Sequence, residues 1–479
     1  MYSGRMASSP NTAAPHWEAR TWALLAVLCG VLFLDGLDVS MVGMALPSIR
    51  EELGLTTSQL QWVVSGYVLG YGGLLLLGGR AADLLGRKRV LIAGLSVFVV
   101  ASAVGGLVND GTLLVITRVL KGMSAAFTAP AGLSIITTTF AEGPNRNRAL
   151  AFYTATGASG FSLGLVFGGL LTEIGWRWTF LLPVPFAILV LVMARRLIPR
   201  DVLIPGTRRR YDIAGAVTIT AAMLLLVRAV VEAPEIGWAD PVTVGSFALV
   251  LGLLATFVAI ERRVPQPLVR LGILRSGPLV RANVGMAAMF GAYIGFQFVG
   301  TLYLQAMHGW SPVEAALAFL PGGLLVAVGS PRIGPLVDRF GTARIIAVGM
   351  AAYVVGYALF LRIDASPSFL ALMLPTMLLI GLGFALTYPS SNIQAVAGVP
   401  DHEQGLASGL VNTSFQLGGA IGLAVVTAVV NGDIALSAFR PAIAVVTGLA
   451  AIGLLVALFG VVVQTQEASS ARRQLPDAI

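Results

Sequence analysis

Charged side chains are scarce in this sequence of 479 residues: only 11% are Asp, Glu, Lys or Arg, whereas 56% are hydrophobic. An average soluble domain carries roughly 25% charged residues, so the composition argues against a soluble protein. Cysteine occurs once, at Cys29, which excludes an intramolecular disulfide. The sequence contains neither an H-E-x-x-H metal motif nor a G-x-x-x-x-G-K-S/T nucleotide loop. We therefore expect no enzyme, no metal site and no organic cofactor.

Basic residues exceed acidic ones and give the chain a formal net charge of +8. A nucleic-acid-binding protein concentrates such residues on one face, tail or domain. Here they occur instead in short clusters between long apolar segments, which is typical of the cytoplasmic loops of a membrane protein. We expect a lipid bilayer as the partner and no nucleic acid, and we assign the chain to a bacterial inner or plasma membrane as a multi-pass protein.

The apolar segments predict an all-α integral membrane protein, because a helix needs about 20 residues to cross the hydrocarbon core. Fourteen candidate spans lie near 22–46, 60–78, 90–108, 112–134, 151–171, 180–198, 213–231, 242–260, 284–304, 315–331, 345–361, 369–388, 408–430 and 442–463. The loops on one side hold 24 Lys and Arg residues, and those on the other side hold four. The positive-inside rule makes the richer side cytoplasmic, and an even number of spans places both termini there.

One loop pattern, G-x-x-x-D-x-x-G-x-x-R, occurs twice, after the second and the tenth span. The first copy contains Gly79, Arg80, Asp83, Gly86, Arg87 and Arg89, and the second contains Gly334, Asp338, Gly341 and Arg344. Matching loops on the same side predict two parallel six-helix halves, which we assign to 21–199 and 282–464. Linkers and two inserted helices occupy 200–281, and the tails 1–20 and 465–479 are cytoplasmic. Because glycine permits tight turns, we predict a conformational switch at both loops.

These loops resemble the G-x-L-A-D-R-x-G-R-K-x motif of the major facilitator superfamily. The first span, Leu37-Asp38-Val-Ser-Met-Val-Gly43-Met-Ala-Leu-Pro47, is similar to L-D-x-T-x-V-N-V-A-L-P in its fourteen-helix drug:proton antiporter family. Arg118-Val-Leu-Lys121-Gly122 resembles that family's R-x-x-Q-G, with Lys121 in place of glutamine. In the fifth span, an antiporter-like motif resembling G-x-x-x-G-P-x-x-G-G contains Gly160, Gly164, Gly168 and Gly169, with Leu165 at the proline position.

The resemblance implies a secondary transporter that works by alternating access, exports small amphipathic drugs or antibiotics in exchange for protons, and is a monomer. Two alternatives within transport stay open, because a fold does not determine cargo or direction. The protein could export lipids or metabolites, or it could take up its substrate with protons. A membrane enzyme or a channel is less favoured, since the duplicated loop suits alternating access.

Two acidic residues, Asp35 and Asp38, lie well inside the first span. A carboxylate in hydrocarbon is costly unless it is hydrated, paired or protonated, so both are functional candidates. Counting from the outer helix ends places Asp38 and Arg118 roughly 14 and 9 Å below the outer face, close enough for the two side chains to meet. We hypothesise that the Asp38–Arg118 pair is the proton switch and that Asp35 also takes part in proton coupling. The same residues serve packing alone in the alternative interpretation.

Polar and aromatic side chains on other spans predict a mixed substrate-binding cavity, since adaptable apolar contacts and a few hydrogen bonds suit varied amphipathic molecules. The candidates are Trp62, Tyr67, Tyr71, Tyr293, Gln297, Asn412 and Gln416. For each of them, helix packing is the alternative role.

Overall fold

The computed structural model describes residues 17–140, 144–199, 212–264, 267, 269–364, 368–400, 404–430 and 434–473, and these are mainly helical. Most of the predicted tail 1–20 and the end of the tail 465–479 lie outside the described residues. The helices of the first half are α1 (Ala19–Leu53), α2 (Thr57–Leu85), α3 (Arg87–Gly105), α4 (Gly111–Thr139), α5 (Pro144–Ile174), α6 (Trp178–Leu181) and α7 (Pro183–Leu197). Only Leu182 separates α6 from α7.

Nine helices follow in the remainder of the described chain. They are α8 (Ile213–Ile236), α9 (Pro241–Glu261), α10 (Gly277–Thr301), α11 (Pro312–Gly329), α12 (Ile333–Phe340), α13 (Thr342–Phe360), α14 (Leu374–Val396), α15 (Gln404–Val430) and α16 (Leu436–Arg473). Short 3-10 segments occur at Leu271–Arg275 and Ser330–Arg332, and π-helical turns occur at Leu302–Met307 and Phe369–Met373.

Twelve helical segments in the described part of the chain are long and apolar enough to cross a membrane. The helices α2 and α5 fall outside this set, although α5 includes a shorter apolar stretch, Ser159–Ile174. The all-helical membrane architecture is therefore confirmed. The count of fourteen crossings and the cytoplasmic position of both termini stay predictions.

Short polar side chains begin many of the helices, because the first backbone N–H groups of a helix need an acceptor. Asp110 accepts a hydrogen bond from the Leu113 N–H at 2.8 Å at the start of α4. Ser311 and Glu314 form a reciprocal capping box at the start of α11. These caps determine where the helices begin between apolar segments.

The packing of helices in the first half recurs in the second. In the first half α1 packs on α5, α2 on α4, and α3 on both α4 and α7. In the second half α10 packs on α15, α11 on α14, and α13 on both α14 and α16. The halves meet where α5 contacts α11 and α2 contacts α15. This arrangement agrees with two parallel repeats, although the exact domain boundaries stay predictions.

The inserted helices pack differently from each other. α8 contacts α9, and it also lies against α2 of the first half and α15 of the second. At the α2 contact, a Cβ on Gly73 would lie 2.7 Å from the Leu224 side chain of α8. α8 thus lies along the junction of the two halves.

The duplicated loops share an unusual backbone conformation. Gly86 has φ 96° and Gly341 has φ 81°, and only glycine adopts this region readily. Arg87 donates a hydrogen bond to Thr138 Oγ1 at 2.7 Å, which ties the first loop to the end of α4. The side chain of Asp83 lies outside the described residues.

The other predicted switch residues are partly or largely accessible. Gly79, Arg80 and Gly341 are half-buried, whereas Arg89, Gly334, Asp338 and Arg344 are exposed. Their role in a switch stays a prediction.

Glycines allow α5 to lie directly against α1. A Cβ on Gly168 would come within 2.8 Å of Met41 Cα, and a Cβ on Gly164 would come within 2.6 Å of the Leu37 carbonyl oxygen. A Cβ on Gly160 would clash with the Phe33 carbonyl. Small residues permit this close backbone approach in membrane helices. Gly169 instead faces the second half, at the Pro312 carbonyl of α11.

We expect Gly160→Ala to destabilise the protein by about 1–3 kcal/mol, because the added methyl group overpacks the α1–α5 contact. Gly285→Ala on α10 is the matched control, since a Cβ there meets nothing within 4 Å. Thermal melting of the purified proteins, followed by size-exclusion chromatography with fluorescence detection, measures the difference. Equal melting temperatures for the two variants would contradict the close contact.

Candidate functional site

The most buried ionic cluster in the described chain centres on Asp38 of α1. Its side chain is 0% exposed, and each carboxylate oxygen contacts a different cation from α4. Arg118 Nη1 donates to Asp38 Oδ2 at 2.5 Å, and Lys121 Nζ contacts Asp38 Oδ1. Arg118 and Lys121 lie three residues apart, so both emerge from one face of α4. The predicted Asp38–Arg118 pairing is present as a contact, with a second cation beside it.

Both cations are held in place by further contacts. Arg118 Nε donates to the Val63 carbonyl of α2 at 2.9 Å, and its guanidinium lies 4.8 Å from the centre of the Tyr67 ring. Lys121 Nζ lies 4.9 Å and 5.0 Å from the centres of the Phe98 and Phe180 rings. Aromatic faces attract cations, so the cluster sits among rings that stabilise its positive members.

Asp35 lies one helical turn from Asp38, yet its surroundings differ. Its side chain is buried, and Oδ2 has no hydrogen-bond partner among the described residues. The groups close enough for electrostatic interaction are Asp38 and Lys121 together with tyrosines of α2 and α5, namely Tyr67, Tyr71 and Tyr153. A buried oxygen without a partner is costly for a carboxylate and cheaper once the group carries a proton.

A cavity opens beside the cluster, between the two halves. It is lined by Val39, Val42, Gly43, Leu46, Val64, Tyr67, Val68, Arg118, Phe290, Ile294, Gln297, Phe298, Gln416 and Leu423. These residues come from α1, α2 and α4 of the first half and from α10 and α15 of the second. Arg118 is the one charged side chain among them and also pairs with Asp38, so it connects the buried charge to the cavity.

Among the described residues, side-chain hydrogen bonds connect the two halves at two positions. Ser162 Oγ of α5 donates to the Gly323 carbonyl of α11 at 2.9 Å. Gln305 Nε2 donates to the Met44 carbonyl of α1 at 3.2 Å. The stretch Gly160–Gly164 spells G-x-S-x-G, but Ser162 lies inside a helix and not at the strand-to-helix turn of a serine hydrolase. Its hydroxyl serves helix contact.

The family model described as Major Facilitator Superfamily matches residues 28–423. The chain belongs to the Major Facilitator Superfamily. It is therefore a multi-pass membrane protein of a transporter family and not an enzyme.

Several curated members of the superfamily are similar over most of their length. The puromycin resistance protein pur8 of Streptomyces alboniger is 38% identical over 87% of this chain and 83% of its own. The cephamycin export protein CmcT of Amycolatopsis lactamdurans is 35% identical over 100% of this chain and 98% of its own. Among solved structures, an auto-inhibited POT family peptide transporter has a TM-score of 0.65 at 17% identity, covering 92% of this chain and 96% of its own. The structural likeness concerns the fold alone.

The seven predicted substrate-binding residues divide into three that line the cavity and four that do not. Tyr67, Gln297 and Gln416 line the cavity. Trp62 packs towards α8 with Val68 and Val227. The ring of Tyr71 meets Tyr67 edge to face, and Tyr293 stacks with Phe290. Asn412 donates to the Ser408 carbonyl of its own helix at 2.9 Å. The last four are not brought to this cavity, and their proposed role stays a prediction.

Sequence reasoning did not include Lys121 among the site residues. The signal was available, because a lysine inside a span is rare and functional by default, and it stands where the resembling motif has glutamine. What the sequence could not show is that Lys121 and Arg118 reach the same carboxylate. That convergence requires α1 to lie beside α4.

We expect Asp38→Asn to lower stability by about 3–5 kcal/mol, because it leaves two buried cations beside each other without a carboxylate. The double substitution Asp38→Asn with Lys121→Gln removes one charge of each sign and should recover much of that loss. Melting temperatures of the purified variants test whether the single variant is less stable than the double variant. If Asp38→Asn melted like the unsubstituted protein, the cluster would not be the ionic centre described.

Proposed function

We propose that this protein exports small amphipathic molecules, such as drugs or antibiotics, in exchange for protons. It works as a monomer, by alternating access, with fourteen spans and both termini in the cytoplasm. The names of the relatives support this proposal, since they concern resistance to puromycin and to lincomycin and the export of cephamycin. One observation carries the proposal: Arg118 pairs with the buried carboxylate of Asp38 and also lines the cavity between the halves.

The coupling proton is carried by the carboxylates of α1. Asp38 has a cation on each oxygen, so protonating it weakens both pairs and frees Arg118. Asp35 has an oxygen without a partner, so it accepts a proton without breaking an ion pair. A proton entering from the outer side moves through this pair of carboxylates and leaves to the cytoplasm when the halves reorient. A substrate in contact with Arg118 competes with Asp38 for this cation. Substrate binding and protonation of Asp38 are thereby coupled.

Reorientation of the halves requires contacts that break and reform cheaply. The two crossing hydrogen bonds, Ser162 to Gly323 and Gln305 to Met44, are neutral, and each is worth only about 0.5–1.5 kcal/mol net. The backbone at Gly86 and Gly341 provides matching turns at the switch loops. The ionic cluster, in contrast, lies wholly within the first half and can move with it as a unit.

One proton provides enough driving force for export. An elementary charge crossing 100 mV supplies about 2.3 kcal/mol, and about 1.4 kcal/mol corresponds to a tenfold ratio. A neutral molecule exchanged for one proton therefore reaches an accumulation ratio on the order of forty before any pH gradient is added. No nucleotide is needed for this exchange.

Proton coupling is testable in proteoliposomes that carry a pH gradient and acridine orange. Adding puromycin or fluorescein should dissipate the gradient, because cargo moves against protons. We expect the Asp38→Asn, Lys121→Gln double variant to lose this response by at least about a hundredfold, and Asp35→Asn to weaken it strongly, since each removes a group that takes up the proton.

The matched control is Arg228→Gln, because Arg228 pairs with Glu232 on an exposed helix face far in sequence from the cluster. It should transport like the unsubstituted protein. Normal proton-coupled exchange by the double variant, with unchanged folded yield, would overturn the assignment and leave the cluster a packing feature. If every tested cargo failed to move protons in the unsubstituted protein, lipid or metabolite cargo would become the favoured alternative.

A further inference from the structure

We infer that the cavity recognises cargo through a hydrogen-bond acceptor, a carboxylate or a carbonyl group, and that acidic and neutral amphipathic molecules are its substrates in preference to permanent cations. This inference names the cargo class of the proposed exporter and rests on that function. It depends on which polar atoms face the cavity and which do not.

Arg118 offers a cationic donor to the cavity. Its Nε donates to the Val63 carbonyl and its Nη1 donates to Asp38. Nη2 has no hydrogen bond within the part of the chain that the structure describes, and a guanidinium presents its donors in a fixed plane. The guanidinium of Arg118 therefore has a free N–H donor at Nη2, which suits an oxygen acceptor of the cargo.

Gln297 is a second, independent polar group aimed into the cavity. Its side chain is 5% exposed, and its Nε2 has no hydrogen-bond partner among the described residues. The amide lies over Gly43, where a Cβ would come within 2.8 Å of Nε2. The absence of a side chain at Gly43 thus leaves the space that the Gln297 amide occupies. A buried donor without a partner is costly, and a cargo acceptor would satisfy it.

Tyr67 adds a hydroxyl to the same wall, and its oxygen also has no partner in the described chain. Gln416 lines the opposite side from α15. The remaining lining is apolar, including Val39, Val42 and Phe290, and suits the hydrophobic part of an amphipathic molecule. The cavity therefore combines an apolar wall with donors.

The carboxylates are turned away from cargo. Neither Asp35 nor Asp38 lines the cavity, and both oxygens of Asp38 are already engaged by cations. Lys121 gives the cluster one more positive charge than Asp38 can balance, which leaves a surplus cation whenever Asp35 is protonated. A cationic cargo would meet a like charge without a free carboxylate, whereas an anionic cargo would meet an opposite one.

The charge of the cargo also changes the electrical work. Exporting an anion while importing a proton moves two positive charges inward, along an inside-negative potential. Exporting a monovalent cation for one proton moves no net charge. Since one charge across 100 mV corresponds to roughly a forty-fold ratio, the membrane potential assists export of a neutral cargo, assists export of an anion more strongly, and does not assist export of a monovalent cation.

The test compares fluorescein with tetramethylrhodamine methyl ester, two dyes that share a xanthene ring system and carry opposite charge. Binding to the purified full-length protein in nanodiscs is measured by fluorescence anisotropy at one pH with no gradient. We expect fluorescein to bind at least about tenfold more tightly than the cationic dye. Gln297→Leu should weaken fluorescein binding by about tenfold, the usual cost of losing one hydrogen bond to a charged group.

Gln394→Leu is the matched control, because Gln394 is an equally buried glutamine of α14 that does not line the cavity. It should leave both dyes unchanged. If Gln297→Leu does not fold, Gly43→Ala replaces it, since the added methyl group displaces the Gln297 amide from its place over Gly43. Lys121→Gln should shift the ratio of the two affinities towards the cationic dye by about tenfold or more, because the surplus charge is gone.

Tighter binding of the cationic dye, or unchanged fluorescein affinity in Gln297→Leu or Gly43→Ala, would overturn the inference. Because the binding experiment has no proton gradient, it is independent of coupling. Preference for fluorescein without proton exchange would leave the cargo class standing and reject the proposed antiport. Proton-coupled transport with a preference for the cationic dye would reject the cargo class and leave the proposed antiport standing.

Discussion

The ionic contact of Asp38 with two cations is the constraint on which the rest of this protein depends. A carboxylate in the middle of a helical bundle is tolerated only when its charge is balanced, and here Arg118 and Lys121 occupy one oxygen each. That demand brings α4 beside α1 at a definite depth. It also leaves Arg118 with one face towards the carboxylate and another towards the cavity.

Close helix packing makes this contact geometrically feasible. Gly122 follows Lys121 directly, and a Cβ there would clash with the Tyr67 carbonyl, so α4 lies tightly on α2. The glycines of α5 hold α1 from the other side. In the second half, a Cβ on Gly418 or Gly422 would likewise clash with the backbone of α10, at Ala287 and Gly291. Both halves thus use the same small-residue contact between their first and fifth helices.

The halves share packing but not chemistry. The charged cluster belongs to α1 and α4, whereas the corresponding helices of the second half, α10 and α14, contribute amides, aromatic rings and no acid. The ionic groups therefore lie on one side of the junction between the halves, and the buried amide of Gln297 lies on the other.

Much of the fold follows from the sequence, because hydrophobic length, the side preference of basic residues and a duplicated loop are local or periodic properties. The placement of Asp35, Asp38 and Arg118 inside spans follows in the same way. The relative levels of Asp38 and Arg118 were also predictable, since helix rise converts residue number into depth.

Only the tertiary structure decided which side chains meet. Lys121 reaches Asp38, Tyr67 and Gln297 share one cavity, and Trp62 and Tyr293 pack elsewhere, because helix rotation and the choice of neighbouring helix come from contacts between residues distant in sequence. The sequence by itself determined that this protein spans a membrane with charge buried in its first and fourth helices. The three-dimensional packing decided that the buried acid is shielded by two cations while a donor-rich cavity lies beside it, since that outcome depends on how two half-bundles fit together.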